Sequence, residues 1–309
     1  MKFTRVDLIL LCMVLFWGGN ISIIKVALKH FNPVVFNCLR FLIASTTMVI
    51  VYRRVFDDPV DRKELLNLLI LGVLGNTIYQ FLFIYGVKYT YVSHTSILLG
   101  TTPIFTAMVS SWTGLEPVHR KSWFAIVLSF LGVVLIVFGG ANGFKGGLHW
   151  NVGDVFVLMC SFVWSIYTTF SKRVIGQYSA RHYIVYTVMF GTLFMIPLSI
   201  SSLRQQDWGS LGAYDWGAVL YSAFLALVFG YSAWYYGVQK IGSTRTAVYS
   251  NLTPVAGMAI GMIFLGERFS PTQWLGVAVI VLGLILMRRF GRIRETVPDE
   301  RVCEASPTK

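Results

Sequence analysis

Charge is what this 309-residue chain has least of: Asp, Glu, Lys and Arg together make up 13% of it, and only 14 residues are acidic. So small a stock cannot cover a water-facing surface, which argues against a soluble globular protein. Cysteine is scarce as well. Of the four, Cys12, Cys38 and Cys160 fall inside apolar runs and Cys303 lies in a polar tail, so neither a disulfide framework nor zinc-finger spacing is present. The five histidines, His30, His94, His119, His149 and His182, are scattered near the ends of apolar runs without metal-ligand spacing. No metal and no cofactor is expected. The HExxH, GxSxG and Walker-type patterns are missing too, so the chain does not read as an enzyme.

What remains is apolar. Hydrophobic residues make up 55% of the chain, and the mean hydropathy is +0.65. Lipid is the solvent such a composition fits. A helix needs about 20 apolar residues to cross the hydrocarbon core. Ten runs of that kind can be marked off by charge and turn residues. The first five are Asp7–Leu28, Pro33–Tyr52, Leu65–Tyr89, Val92–Thr113 and Lys121–Gly139. After a Gly-rich connector, Gly140 to Asn151, come Gly153–Ile175, Arg181–Leu203, Trp216–Lys240, Ser243–Leu265 and Pro271–Phe290. Lys2 and Arg5 ahead of the first run superficially resemble a signal peptide. That run is too long for an h-region and no small-x-small cleavage site follows it, so it reads as a retained first helix.

A net charge of +12 could suggest a nucleic-acid partner. The positives instead sit beside the apolar runs, and nineteen of the 26 fall on the side of the N-terminus, against five on the other side. The remaining two, Lys25 and Arg40, lie inside runs. This asymmetry follows the positive-inside rule and places both termini in the cytoplasm of a multi-pass protein of the inner or plasma membrane. No nucleic-acid partner is expected; the partners are the bilayer and a small-molecule substrate. The oligomeric state is left open, a homodimer included.

The sequence repeats itself. Trp17 and Lys25 match Trp164 and Lys172 at an offset of 147. Further on the offset is 151: Tyr85-Gly86-Val87 matches Tyr236-Gly237-Val238, Thr102-Pro103 matches Thr253-Pro254, and Glu116, Trp123 and Gly132 match Glu267, Trp274 and Gly283. The fold expected is therefore an all-α membrane protein of ten transmembrane helices in two five-helix repeats, residues 1–142 and 143–290, with a disordered cytoplasmic tail over 291–309. Five is odd, so the second repeat enters the membrane from the opposite side. Inverted repeats of this kind are a recurring transporter architecture.

At these residues the chain resembles the EamA-type exporters of the drug/metabolite transporter superfamily. The family's half-repeat opens with an aromatic-Trp-Gly stretch, then a Lys, a Pro and an Arg; here these are Phe16-Trp17-Gly18, Lys25, Pro33 and Arg40. It closes with a Pro, a Gly-Glu pair and a Gly-rich helix, here Thr253-Pro254, Leu265-Gly266-Glu267, Trp274-Leu275-Gly276 and Gly283. The likeness runs over about residues 5 to 290. The pattern departs at Gly114-Leu115-Glu116 and at Thr187, which stands where the second half would mirror Arg40. The resemblance implies ten helices and the export of amino acids, related metabolites or toxic amphiphiles. An importer, a nucleotide-sugar or lipid-linked carrier of the same superfamily, and a passive channel remain alternatives.

Polar and aromatic residues inside the runs are the candidate site, because an unpaired polar group is costly in lipid and tends to face a cavity. At helical spacing, Ser161, Trp164, Ser165, Thr168 and Lys172 share one arc, and Gly72, Asn76, Tyr79, Gln80 and Phe83 share another. The repeat mates of Gln80 and Phe83 are Tyr231 and Trp234, next to Tyr235. Trp17, Asn20, Asn76, Tyr79, Gln80, Trp164, Thr168, Tyr231, Trp234 and Tyr235 are thus the substrate-binding candidates. Small residues such as Gly72 and Gly75 are expected to pack helices together. Pro103 and Pro254 sit mid-run, where a missing amide frees carbonyls to line a cavity. Glu116 and Glu267 read as ion-pairing or capping groups. Lys25 and Arg40 are structural or anion-facing: Lys25 can snorkel to the headgroups, and Arg40 needs Asn37 and carbonyls, or a substrate carboxylate.

Overall fold

The computed structural model describes residues 4–58, 60–139, 151–265 and 269–290. Residues 140–150 of the connector, the tail and the Gly266-Glu267 pair lie outside the described residues.

Helix ends are set by side chains that take up the free first-turn amides. Thr4 and Asp7 form a capping box that starts α1, Arg5–Ala27. Asn32 caps α2, Pro33–Val51, whose opening proline has no amide to satisfy. The third helix, α3, runs Arg62–Tyr89. Two shorter pieces follow, α4 (Val92–Leu99) and α5 (Thr102–Thr113), then α6, Arg120–Phe138. In the second half Asn151 and Asp154 repeat the capping box at the start of α7, Val152–Gln177. Next come α8 (Ala180–Gln205), α9 (Ala213–Ile241), α10 (Ser243–Tyr249), α11 (Thr253–Leu265) and α12 (Pro271–Phe290).

Eight of these helices, among the described residues, are long and apolar enough to cross a membrane. They match eight of the ten expected runs to within a few residues. The other two, Val92–Thr113 and Ser243–Leu265, are each broken in the middle, so neither piece reaches spanning length alone. The breaks fall at Gly100 and Thr101 and at a 3₁₀ turn, Ser250–Leu252, just ahead of the matched prolines Pro103 and Pro254. Helices α3 and α9 carry a second shared irregularity. Their centres are π-helical, over Val73–Ile78 and Ser222–Phe229. Broken or widened backbone at membrane depth is tolerated where neighbouring protein or a cavity satisfies it.

Contacts between the halves come in reciprocal pairs. Helices α6 and α12 pack along their length, and small residues let their backbones meet. A Cβ on Gly132 would lie 2.6 Å from Ile280 Cγ1 and 2.7 Å from the Gly276 carbonyl oxygen. A Cβ on Gly283 would lie 2.8 Å from Ser129 Cβ and 3.0 Å from the Ala125 carbonyl oxygen. Gly283 is the mate of Gly132 and Ser129 the mate of Ile280, so the two contacts are one contact made twice. The same exchange occurs between α1 and α11 and between α7 and α5. Gly18 abuts the Thr253 carbonyl, while Ser165, its mate at the offset of 147, donates to the Thr102 carbonyl at 3.2 Å.

Candidate functional site

Between the two breaks and the two π segments lies a cavity of about 100 Å³. Trp17 and Asn20 reach it from α1, Tyr79 and Gln80 from α3, Trp164 from α7 and Tyr231 from α9. Six of the ten candidate residues therefore share one space. Gly100 and Thr102 at the first break, and Ser250, Asn251 and Thr253 at the second, also line it.

Repeat mates touch here. The Trp17 and Trp164 rings stand edge to face with centroids 6.2 Å apart. Gln80 Nε2 donates to the Tyr231 hydroxyl at 2.8 Å. Trp17 Nε1 donates to the Ala226 carbonyl in the π segment of α9 at 2.9 Å, and Trp164 answers by packing on Tyr79, centroids 4.8 Å apart, just after the π segment of α3.

The other four candidates lie behind this wall. Trp234 is fully buried, packed on Trp17 with centroids 5.4 Å apart, and its Nε1 donates to Thr168 Oγ1 at 3.2 Å. Tyr235 sits one layer deeper, against Tyr183 at 4.8 Å and Tyr167 at 5.5 Å. Asn76 turns away from the cavity and donates to the Tyr167 hydroxyl at 3.0 Å. The floor on the side of the N-terminus is thus two aromatic layers thick. Of the polar arc on α7, only Trp164 lines the cavity: Ser161 and Ser165 bond the carbonyls of Leu98 and Thr102 across the first break.

Arg40 is the one formally charged residue among those that line the cavity, and it is 1% exposed. Its Nε donates to Asn37 Oδ1 at 2.8 Å and its Nη2 to Gln80 Oε1 at 2.5 Å. Asn37 in turn donates to the Gln80 carbonyl at 2.8 Å. Asn37 is the expected partner; the expected carbonyls are replaced by the Gln80 side chain. The rings of Phe36, Phe41 and Phe83 surround the guanidinium with centroids 5.6–5.9 Å away. Lys25 is not among the residues that line this cavity. Its Nζ donates to the carbonyls of Val87, Lys88 and Thr90 at 2.6, 2.9 and 2.7 Å, capping the C-terminus of α3.

Both ends of the bundle are tied. On the side of the N-terminus, the Tyr249 hydroxyl makes a short hydrogen bond to Asp7, and Arg288 Nη2 donates to the same carboxylate at 2.9 Å. Nearby, Glu116 accepts from Lys172 Nζ at 2.9 Å and from the Ser243 amide and hydroxyl at 3.0 and 2.6 Å. Glu116 is therefore both ion pair and cap. Gly242, at φ +90°, leaves room for that carboxylate, because a Cβ there would lie 2.5 Å from Glu116 Oε1. On the opposite side the Asp154 carboxylate accepts from the Asn151 amide at 3.1 Å, closing the capping box of α7, and also bonds Thr90 and His94 Nδ1, the latter at 3.0 Å.

Two helix breaks, two π segments and touching repeat mates around one central cavity form a transporter's frame, and comparison with known proteins decides the family. The sequence model described as the EamA-like transporter family matches residues 4–138 and again 151–289. The chain belongs to the EamA-like transporter family. An uncharacterized transporter of Bacillus subtilis, YyaM, is 25% identical over 289 residues, covering 92% of this chain and 94% of its own. A protein of Salmonella typhimurium named a probable amino-acid metabolite efflux pump is 28% identical over 296 residues, 93% of this chain and 95% of its own. One crystal structure superposes with a TM-score of 0.76 over 94% of this chain and 99% of that one; at 16% identity, the likeness is of fold alone. As an EamA-family member the chain is a multi-pass membrane transporter that acts on small molecules.

Proposed function

We propose that this EamA-family chain is a secondary transporter of the cell membrane that exports small organic metabolites, amino acids or related amphiphiles, by alternating access. The observation that carries the reading is the meeting of repeat mates at a single cavity, Trp17 with Trp164 and Gln80 with Tyr231. Groups exchanged by a repeat can touch only near the axis that exchanges them. The reciprocal α6–α12 contacts support the same axis. In this reading each half is a five-helix unit, residues 1–142 and 143–290, inverted with respect to the other, and the broken helices are the fourth crossing of each.

Inverted halves can trade conformations, which opens the cavity first to one side and then to the other. The Asp7–Tyr249–Arg288 and Glu116–Lys172–Ser243 clusters then act as latches on the N-terminal side, and the Asp154 and Lys25 contacts as latches on the far side. With both termini in the cytoplasm, the two aromatic layers below Trp17 close the cavity toward the cytoplasm. A space of about 100 Å³ with one cation suits a small amphiphile better than a nucleotide sugar. Purified protein in liposomes should take up radiolabelled phenylalanine saturably and above empty liposomes. Uptake that rises linearly with concentration, or matches empty liposomes for phenylalanine and a panel of other amino acids and amphiphiles, would overturn the assignment.

A further inference from the structure

Arg40 presents a buried cation to the cavity with no anion beside it. Its guanidinium carries five N–H donors. Nε and Nη2 bond the neutral amide oxygens of Asn37 and Gln80. Among the described residues no other acceptor takes its remaining N–H groups, and none of its contacts is an ion pair. A cation buried without a counter-charge is costly unless something neutralises it. Two part-buried cations near the bundle ends do have carboxylate partners: Lys172 has Glu116 and Arg288 has Asp7.

Gln80 holds a second donor against the first. Its amide spans from Arg40 Nη2 to the Tyr231 hydroxyl, which accepts from Gln80 Nε2. The Tyr231 O–H proton then has no acceptor among the described residues. A cation and a hydroxyl donor are thus fixed by one glutamine, from opposite halves of the chain, at the rim of one cavity. The rest of the lining combines rings and aliphatic chains, among them Trp17, Trp164, Phe83 and Leu99, with neutral amides and hydroxyls such as Asn20 and Asn251, and holds no carboxylate to receive an amine.

We infer that Arg40, positioned by Asn37 and Gln80 and joined by Tyr231, binds the carboxylate of the transported molecule, whose remainder is apolar or aromatic. The inference rests on the transporter reading above and adds the substrate class, an organic monocarboxylate. A guanidinium edge and a hydroxyl match the two oxygens of one carboxylate. A dianionic phosphate would find a single positive charge. A cationic amphiphile would meet Arg40 itself.

Three molecules of nearly the same size separate these cases: phenylacetate, phenylacetamide and phenethylammonium. Each is titrated into purified wild-type protein by calorimetry at neutral pH. Phenylacetate should bind at least about tenfold more tightly than either of the others, as loss of a charge-assisted contact implies. Arg40→Gln should level acid and amide, and Tyr231→Phe should weaken the acid alone, by several-fold. Should Arg40→Gln fail to fold, the wild-type comparison and Tyr231→Phe still decide. Equal binding of acid and amide, tighter binding of the ammonium, or no binding of phenylacetate at all overturns the carboxylate site. Saturable uptake of phenylalanine alongside such a result would leave the transporter reading standing. Tight phenylacetate binding with no flux of any tested molecule would do the reverse.

Discussion

The α6–α12 seam allows the sharpest test of the repeat, because the same substitution can be made on both sides of it. In Gly132→Ala the new methyl would lie 2.7 Å from the Gly276 carbonyl oxygen and 2.8 Å from the Ile280 amide nitrogen. In Gly283→Ala it would lie 2.9 Å from the Ser129 amide nitrogen and 3.0 Å from the Ala125 carbonyl oxygen. These are backbone atoms, which no rotamer change can move, so the helices must part. Overpacking of this kind costs about 1–3 kcal/mol. Alanine's better helix propensity returns up to about 1 kcal/mol, and a net loss on the order of 1–2 kcal/mol remains for each variant. The double variant should lose less than the sum of the two. Gly132 and Ser129 lie one turn apart on α6, so a single separation of the helices relieves both contacts. Thermal unfolding of the three variants in one detergent measures all of this. A rise in stability for either single variant, or a loss confined to one of them, would refute the reciprocal packing.

Other consequences are as direct. Lys25→Met removes three carbonyl contacts and should destabilise by about 1.5–3 kcal/mol, impairing transport of every substrate alike; selective loss of one substrate class would point to a ligand role. Trp234→Ala empties a fully buried site and should cost about 3–5 kcal/mol, whereas Tyr231→Phe, which leaves buried Gln80 Nε2 without its acceptor, should cost less, about 1–3 kcal/mol, and also differ in binding. Equal melting of Trp234→Ala and wild type would contradict its place behind the cavity wall. A cysteine at exposed Ser210, in a Cys-free background, should react with an impermeant reagent from outside, and one at exposed His119 only after permeabilisation. The opposite pattern would reverse the orientation.

Much of this was legible in the residues themselves. The runs of hydrophobic side chains mark eight helices that the structure also has, and the offsets of 147 and 151 pair Trp17 with Trp164 and Gln80 with Tyr231, residues that prove to touch. Asn76 was not placed by the same reasoning, for a physical cause. A face drawn at 100° per residue puts it beside Tyr79 and Gln80. The π segment Val73–Ile78 widens the turn between them, so Asn76 points at Tyr167 instead. Thr168, Trp234 and Tyr235 stand about one turn below Trp164 and Tyr231: helical spacing gives the face but not the depth at which a cavity ends. The breaks left a weaker trace, in Thr102-Pro103 and Thr253-Pro254, whose prolines point to lost helical bonds but not to the turns just ahead of them, where Ser250 and Asn251 join the wall.

The central claim is that one cavity, shared by two exchanging halves, serves both sides of the membrane in turn. Trans-acceleration tests it most directly. Proteoliposomes preloaded with unlabelled phenylalanine, or with phenylacetate if only the acid binds, receive the same compound labelled outside. A carrier that alternates returns faster when loaded, so the account predicts accelerated, transient accumulation of label above its equilibrium level. Entry of label at the same rate with and without preloading, with no overshoot, would mean a pore open to both sides at once, and would contradict it.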